Sequence, residues 1–455
     1  MRYGVLCAAF AGAGLLLVSA RFERRALHAG TAKPPASSDA VLPPLVIRTE
    51  GARADPGRPP APAPPFAGLD LTRITLGDGA ATATVQGGTA RLTLDPGLQK
   101  TVAALMKASH LPEAAVVLVD VLSGRLLVYA NHVEDGPDRD LCAEATAPSA
   151  SVFKIVTAAA LVEDAHLGPD TKQCYLGGEQ HIAAVDLIED PRRDKWCTTL
   201  AGAMGRSINA VFARLAMQRL SPEQLDAMAR RFGYARDVAF DVPVQSSALR
   251  VPQDPLEFAR TAAGFWNSTL SPIEAAEISL IVARGGEAVR PTIVDAIVDA
   301  RGTEVWKAPA APEPVRAIEL DTAEKVATMM QQTVREGTSR RAFHDARGEP
   351  FLPGIAVAGK TGTLTDGESR RYYTWFTGFA PMKPTDDLRQ VAVAVLVVNR
   401  PTWRIKANVL ARDVLRAYFA SRGADGVTRP RYTDGRSGRE PRARALGETA
   451  LSRVR

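Results

Sequence analysis

The stretch "APSASVFKIVTAAALVEDAHL", residues 147–167, is apolar on nearly every side of a helix, yet it carries Ser151 and Lys154 near its start. A helix with no polar face belongs in a core, and an ammonium group buried without a partner gives up much of its hydration. Lys154 therefore either snorkels to water or is held for chemistry. A serine three residues ahead of a lysine arises by chance in a chain of 455 residues, so the rest of the sequence has to decide.

Outward from this stretch, the pattern alternates between strands and helices. On its N-terminal side, "DPGLQKTVAALMKASHL" (95–111) has Asp95 as N-cap and Pro96 at the first helical position, so a helix is expected. "AAVVLVDVLSGRLLVYA" (114–130) follows as a hairpin turning near Ser123 and Gly124. Residues 160–350 are mostly helical in pattern. Strands return in "GIAVAGKTGT" (354–363), "YYTWFTGFAP" (372–381) and "QVAVAVLVVN" (390–399), before an amphipathic helix, "ANVLARDVLRAYFASR" (407–422). Strands thus lie at both ends of one unit with helices inserted between them, an α+β pattern. Ahead of it, 69–94 reads as a small β element, because "TRITLGDGAATATVQGGTARLTL" (72–94) alternates around Gly-containing turns.

Composition narrows the class. With 46% hydrophobic and 23% charged residues, the chain can build one large or two ordinary domains. The net charge of +6 is concentrated at the C-terminal end, where residues 423–455 are Arg-rich and poor in apolar side chains; this reads as a solvated tail, with no nucleic-acid partner expected. Residues 1–25 have a basic start and an apolar run from Gly4 to Ala20, the form of a signal anchor or signal peptide that exports the rest and ties it to a membrane. Residues 26–68, Pro- and Ala-rich, form a linker. Export places Cys142, Cys174 and Cys197 in an oxidising compartment. The preferred pair is Cys174 with Cys197, whose intervening segment carries Gly177 and Gly178 for a turn; closing that loop is worth about 3 kcal/mol. Cys142 is then left over, and three free thiols stay open as the alternative. The cysteines and His181 lack the close spacing of a zinc site.

Three short signals follow in order: "SVFK" at Ser151 to Lys154, "SIN" at Ser207 to Asn209, and "KTGT" at Lys360 to Thr363. Singly, each has a bland reading: a snorkelling lysine, a helix cap, a β-turn. In order they match the pattern of penicillin-binding proteins and serine β-lactamases. From about 95 to 422 the chain resembles the transpeptidase domain of penicillin-binding proteins, and "LTLDPGLQ" (92–99), "VREGTSRRAF" (334–343) and "WFTGFAP" (375–381) extend the likeness. It departs where that family commonly has Gly-Gln-Gly before its "SP" segment: here Gly264, Phe265 and Trp266 precede "NSTLSP", which bears on substrate preference and not on the nucleophile. The resemblance implies an antiparallel five-stranded sheet flanked by helices, with an all-helical subdomain, in the β-lactamase/transpeptidase-like class.

The chemistry asks for these residue types. A serine hydroxyl must lose its proton while attacking a carbonyl, so a base has to lie within hydrogen-bond reach. Positions i and i+3 of a helix share a face, which puts Lys154 beside Ser151, and burial lowers an amine's pKa so that it can accept the proton. By resemblance, Ser207 relays the proton to the leaving amine and Asn209 hydrogen-bonds the substrate peptide. "KTGT" is expected on an edge-like strand that Gly362 keeps bare, so that a substrate backbone can lie alongside. Lys360 supplies charge there, Thr361 and Thr363 offer hydroxyls to a C-terminal carboxylate, and the N–H groups of Ser151 and Thr363 form the oxyanion hole.

The function so implied is a serine D-alanyl-D-alanine transpeptidase that cross-links peptidoglycan stem peptides through a Ser151 acyl-enzyme. β-Lactam antibiotics are its expected inhibitors and a separate glycan-strand polymerase its expected partner; no metal or organic cofactor is expected. It would be anchored in the inner membrane of a bacterial envelope with its catalytic domain in the periplasm, or secreted if the signal is cleaved. Two alternatives are carried: a D,D-carboxypeptidase or β-lactamase, which passes the acyl group to water, and a non-catalytic β-lactam- or muropeptide-sensing or scaffold domain.

Overall fold

A computed structural model describes residues 66–430 except 179–180, 310–312 and 386. The expected anchor (1–25), nearly all of the linker (26–65) and the tail from 431 on lie outside the described residues. In chain order the elements that position the site are α1 (Pro96–Ala108), β1 (Glu113–Asp120), β2 (Leu126–Val133), α2 (Lys154–Glu163), α3 (Leu200–Arg206), α4 (Asn209–Arg219), α5 (Pro272–Ala283), α6 (Leu320–Arg335), β3 (Ala358–Asp366), β4 (Arg371–Ala380), β5 (Val391–Asn399) and α7 (Ala407–Ser421).

The five strands form an antiparallel sheet in the order β3-β4-β5-β1-β2. β5, "VAVAVLVVN", is buried at every position, which requires strands on both sides and helices on both faces. Alternation along the strands divides the core in two. Val116, Leu118, Val393, Val395 and Val397 pack in one cluster with Val102 of α1 and Leu415 of α7; Val117, Val119, Ala394 and Leu396 join the other with Ile155 of α2 and Ile278 of α5. β3 lies at the sheet edge, so one side of its backbone is open for pairing. The Asp95 side chain accepts from Leu98 N and Pro96 opens α1, as its sequence predicts.

One feature differs from the expectations. Residues 75–92 form three strands, and these complete a second five-stranded sheet with Val294–Asp299 and Glu304–Lys307, which lie inside a span that reads as mostly helical. A three-strand edge would leave its ladder unpaired, and the partner strands, six and four residues long, are too short for their period to stand out beside long helices. The cysteines adopt the preferred pairing. Cys174 and Cys197 are joined by a disulfide between the paired strands Lys172–Tyr175 and Trp196–Thr199, whereas Cys142 is a buried free thiol. The loop closed by the disulfide is held to α4 through a buried ion pair, Arg214 Nη1 to Asp194 Oδ2 at 2.5 Å. Among the described residues no helix is long and apolar enough to cross a membrane.

Candidate active site

The nucleophile candidate is presented by a constrained turn. Ala147–Pro148 pairs with Thr269–Leu270, and Ser149 N donates to Ser268 O at 3.0 Å. Ala150 then takes a left-handed φ of 50°, a conformation that an alanine holds only where its surroundings impose it. The 3₁₀ turn Ala150–Phe153 runs directly into α2. Ser151 is the second residue of that turn, so its N–H is one of those a helix start leaves without an internal partner. Lys154 lies one turn on, fully buried, and its Nζ donates to Ser151 Oγ at 2.8 Å and to Asn209 Oδ1 at 2.6 Å. Its third contact is the Ala263 carbonyl.

Gly264 explains how that carbonyl comes so close. It has φ +83°, and a Cβ placed on it would lie 2.3 Å from Ala150 O. The glycine shared with the common family pattern is therefore the one that the nucleophile's turn requires, while Trp266 of the departing pair stands about half exposed.

The second and third motifs close the site from the other side. Ser207 ends α3 in a left-handed conformation, φ 59°, and Asn209 begins α4. Lys360 projects from edge strand β3, fully buried, and its Nζ donates to Ser207 Oγ at 2.8 Å. Gly362 packs against the nucleophile's turn: a Cβ there would be 3.1 Å from Ala150 Cβ and 3.3 Å from Ser149 O. Trp375, paired with Gly362 in the sheet, donates from Nε1 to Pro148 O at 2.9 Å. Thr361 is half-buried and Thr363 exposed on the same strand. All three motifs thus meet, Ser151 to Lys154 to Asn209 on one wall and Ser207 to Lys360 across it. Asn209, expected on the substrate, here holds Lys154 through its amide oxygen.

The electrostatics are unusual. Lys154 and Lys360 are both fully buried, and among the described residues neither forms an ion pair with a carboxylate. Burial, and then the positive charge of Lys360, hold the Lys154 amine well below the usual lysine range, and burial brings Lys360 down to about 7. Two ammonium groups in one dry pocket repel, so the pair favours releasing a proton. What the arrangement can do is accept a proton from a hydroxyl. Among the described residues no three His, Cys, Asp or Glu side chains gather as a possible metal site.

Sequence reasoning assigned no role in the site to Ala150, Ala263, Gly264 or Thr338. Thr338 Oγ1 lies 2.6 Å from Thr361 Oγ1. Gly264 had a signal in its place before "NSTLSP"; Ala263 acts through its backbone, which any residue type carries.

Residues 114–416 match the family model of the penicillin binding protein transpeptidase domain. The penicillin-binding protein PbpB of Mycolicibacterium smegmatis is 29% identical over 337 residues, covering 68% of this chain and 50% of that protein. The peptidoglycan D,D-transpeptidase PbpA of Mycobacterium tuberculosis is 27% identical over 271 residues, covering 56% and 50%. This chain thus spans about half the length of these curated relatives. Among solved structures, the D,D-transpeptidase domain of a peptidoglycan glycosyltransferase from Eggerthella lenta superposes with a TM-score of 0.60 at 26% identity, over 73% of this chain and 83% of that one. The family match takes in Ser151 to Lys154, Ser207 to Asn209 and Lys360 to Thr363, the residues that close on one another in the site, and by that match the chain belongs to the penicillin-binding protein transpeptidase domain family.

Proposed function

We propose that this chain is a serine D-alanyl-D-alanine transpeptidase acting on peptidoglycan stem peptides. The observation that carries the reading is Lys154: a fully buried amine, with no carboxylate paired to it among the described residues, 2.8 Å from the hydroxyl of Ser151. In its neutral form that amine takes the Ser151 proton as Oγ attacks the penultimate D-Ala carbonyl. The carbonyl oxygen becomes an oxyanion received by the N–H groups of Ser151 and Thr363. Collapse breaks the peptide C–N bond, the proton passes to the departing D-Ala amine through Ser207, and an ester remains on Ser151. The amine of a second stem peptide then attacks that ester and restores the hydroxyl.

Edge strand β3 supports the placement of the substrate, for a peptide can pair along its open side. Lys360, Thr361 and Thr363 are the residues we assign to its terminal carboxylate. A β-lactam carries a carboxylate and a reactive amide in a comparable arrangement, which makes it the expected inhibitor. The name of the mycobacterial PbpA, a peptidoglycan D,D-transpeptidase, supports the same substrate class. We read residues 1–25 as a membrane anchor or cleaved signal, 26–68 as a linker and the catalytic unit as periplasmic, working with a separate glycan-strand polymerase.

The test is incubation with a defined stem pentapeptide and an amine acceptor, with products identified by mass, alongside labelling by a fluorescent penicillin. Expected are a cross-linked product, label on Ser151, and loss of both in Ser151→Ala. Hydrolysed tetrapeptide as the sole product would replace the transpeptidase with a carboxypeptidase, release of the penicillin label within seconds would point to a β-lactamase, and absence of label would remove the nucleophile.

A further inference from the structure

Thr338 lies outside the three motifs, in the turn between α6 and the short helix Arg340–Phe343, and it joins two walls of the site. Its backbone N donates to Gly205 O at 3.0 Å, two residues before Ser207. Gly337 allows this approach, since a Cβ there would fall 1.9 Å from the same carbonyl. On the C-terminal side, Asn408 Nδ2 donates to Ser339 Oγ at 3.2 Å, holding the turn to α7. The turn is thereby anchored on both sides, and the Thr338 hydroxyl meets the Thr361 hydroxyl at 2.6 Å.

Each hydroxyl has a single proton to donate. At 2.6 Å one of the two donates to the other, so the pair has one proton left for anything else. A carboxylate accepts hydrogen bonds and donates none. If Thr361 is to donate to a carboxylate in the groove, it must accept from Thr338, and the chain of bonds then runs Thr338 to Thr361 to carboxylate, each bond strengthening the next. Without Thr338, the Thr361 hydroxyl turns freely and can spend its proton on water or on backbone.

We propose that Thr338 is a positioning residue for carboxylate recognition, fixing the Thr361 hydroxyl so that its proton points at the terminal carboxylate of the substrate or β-lactam. The proposal rests on the transpeptidase reading and deepens it. The test compares Ser151 acylation by a penicillin and by its methyl ester in the full chain, for wild type, Thr338→Val and Thr338→Ser. Val keeps the shape and removes the hydroxyl; Ser keeps the hydroxyl.

The wild type is expected to prefer the free acid. Thr338→Val should lose roughly five- to ten-fold of that preference, the size of one hydrogen bond between neutral groups, and Thr338→Ser should retain it to within about twofold, less than half of one such bond. A general structural defect would slow acid and ester alike. If Thr338→Val keeps the full acid-over-ester preference, or if Ser fails to restore it, the positioning role is overturned while the transpeptidase reading stands. If wild type is not acylated at Ser151 by either compound, both fall together.

Discussion

Gly264→Ala is expected to disable Ser151 without unfolding the protein. The substituted Cβ would lie 2.3 Å from Ala150 O, where ordinary van der Waals contact begins at 3.4 Å, so about 1 Å of displacement has to be found. It has to come from the Ala150–Ser151 backbone or from the Ala263–Gly264 backbone. Ala150 is already held at a left-handed φ, and Ala263 O is one of the groups that hold Lys154. Either movement separates the hydroxyl from its amine. A misplacement of about 1 Å can lower an enzyme's rate on the order of 10²-fold, and an alanine at positive φ costs about 1–2 kcal/mol of stability. The assay is the rate of Ser151 acylation by a fluorescent penicillin, read beside a denaturant melt. Gly302→Ala is the control: its φ is +82° and a Cβ there meets nothing within 4 Å, so it carries the same backbone penalty with no effect on acylation. A Gly264→Ala protein that acylates within threefold of wild type, or a Gly302→Ala protein that slows equally, would refute the reasoning.

Two further outcomes concern stability. Burial pushes the Glu274 carboxyl from 4.5 up to about 9, so folding takes up a proton and stability falls as pH rises from 4.5 to 9, by about 1.4 kcal/mol per unit; Glu274→Gln should gain about 3 kcal/mol over wild type at pH 7 and nothing at pH 4, as urea melts across that range would record. Replacing Cys174 and Cys197 by serine should cost about 3 kcal/mol for a loop of this length, and reductant should bring wild type to the same value while leaving the double variant unmoved.

The parts of the site that chemistry restricts to a residue type were legible in the letters. Only a few side chains serve as nucleophile, base and charged anchor, so Ser151, Lys154, Ser207 and Lys360 stood out once their order was seen. The strands were legible for a different reason: "QVAVAVLVVN" is apolar on both faces, a pattern that only a central strand tolerates. Backbone contributions were not, because the Ala263 carbonyl and the left-handed turn at Ala150 are available to almost any sequence and are fixed by what packs around them. Thr338 was hidden differently. Its hydroxyl acquires meaning from Thr361, 23 residues away, and threonines are too common for such a pair to be noticed before the chain is folded. Residues 294–307 were missed because two short strands, one at the sheet edge, carry little period-2 signal.

The two buried lysines set up a dependence that can be followed by pH. Acylation on the proposed mechanism needs Lys154 neutral, so its rate should climb as pH rises and the amine sheds its proton. What keeps that proton loosely held is first burial and then the charge on Lys360. Lys360→Gln removes the charge and keeps a polar side chain beside Ser207. With the repulsion gone, the Lys154 ammonium is less disfavoured, its pKa rises, and the ascending limb of the rate profile moves to higher pH. The absolute rate also falls, since the proposed mechanism assigns Lys360 to the substrate's carboxylate, yet loss of binding alone lowers the whole curve without moving its midpoint. The position of the limb therefore separates the electrostatic role from the binding role. A limb that stays in place, or moves to lower pH, would mean that Lys360 does not tune Lys154, and the base would then owe its neutrality to burial alone.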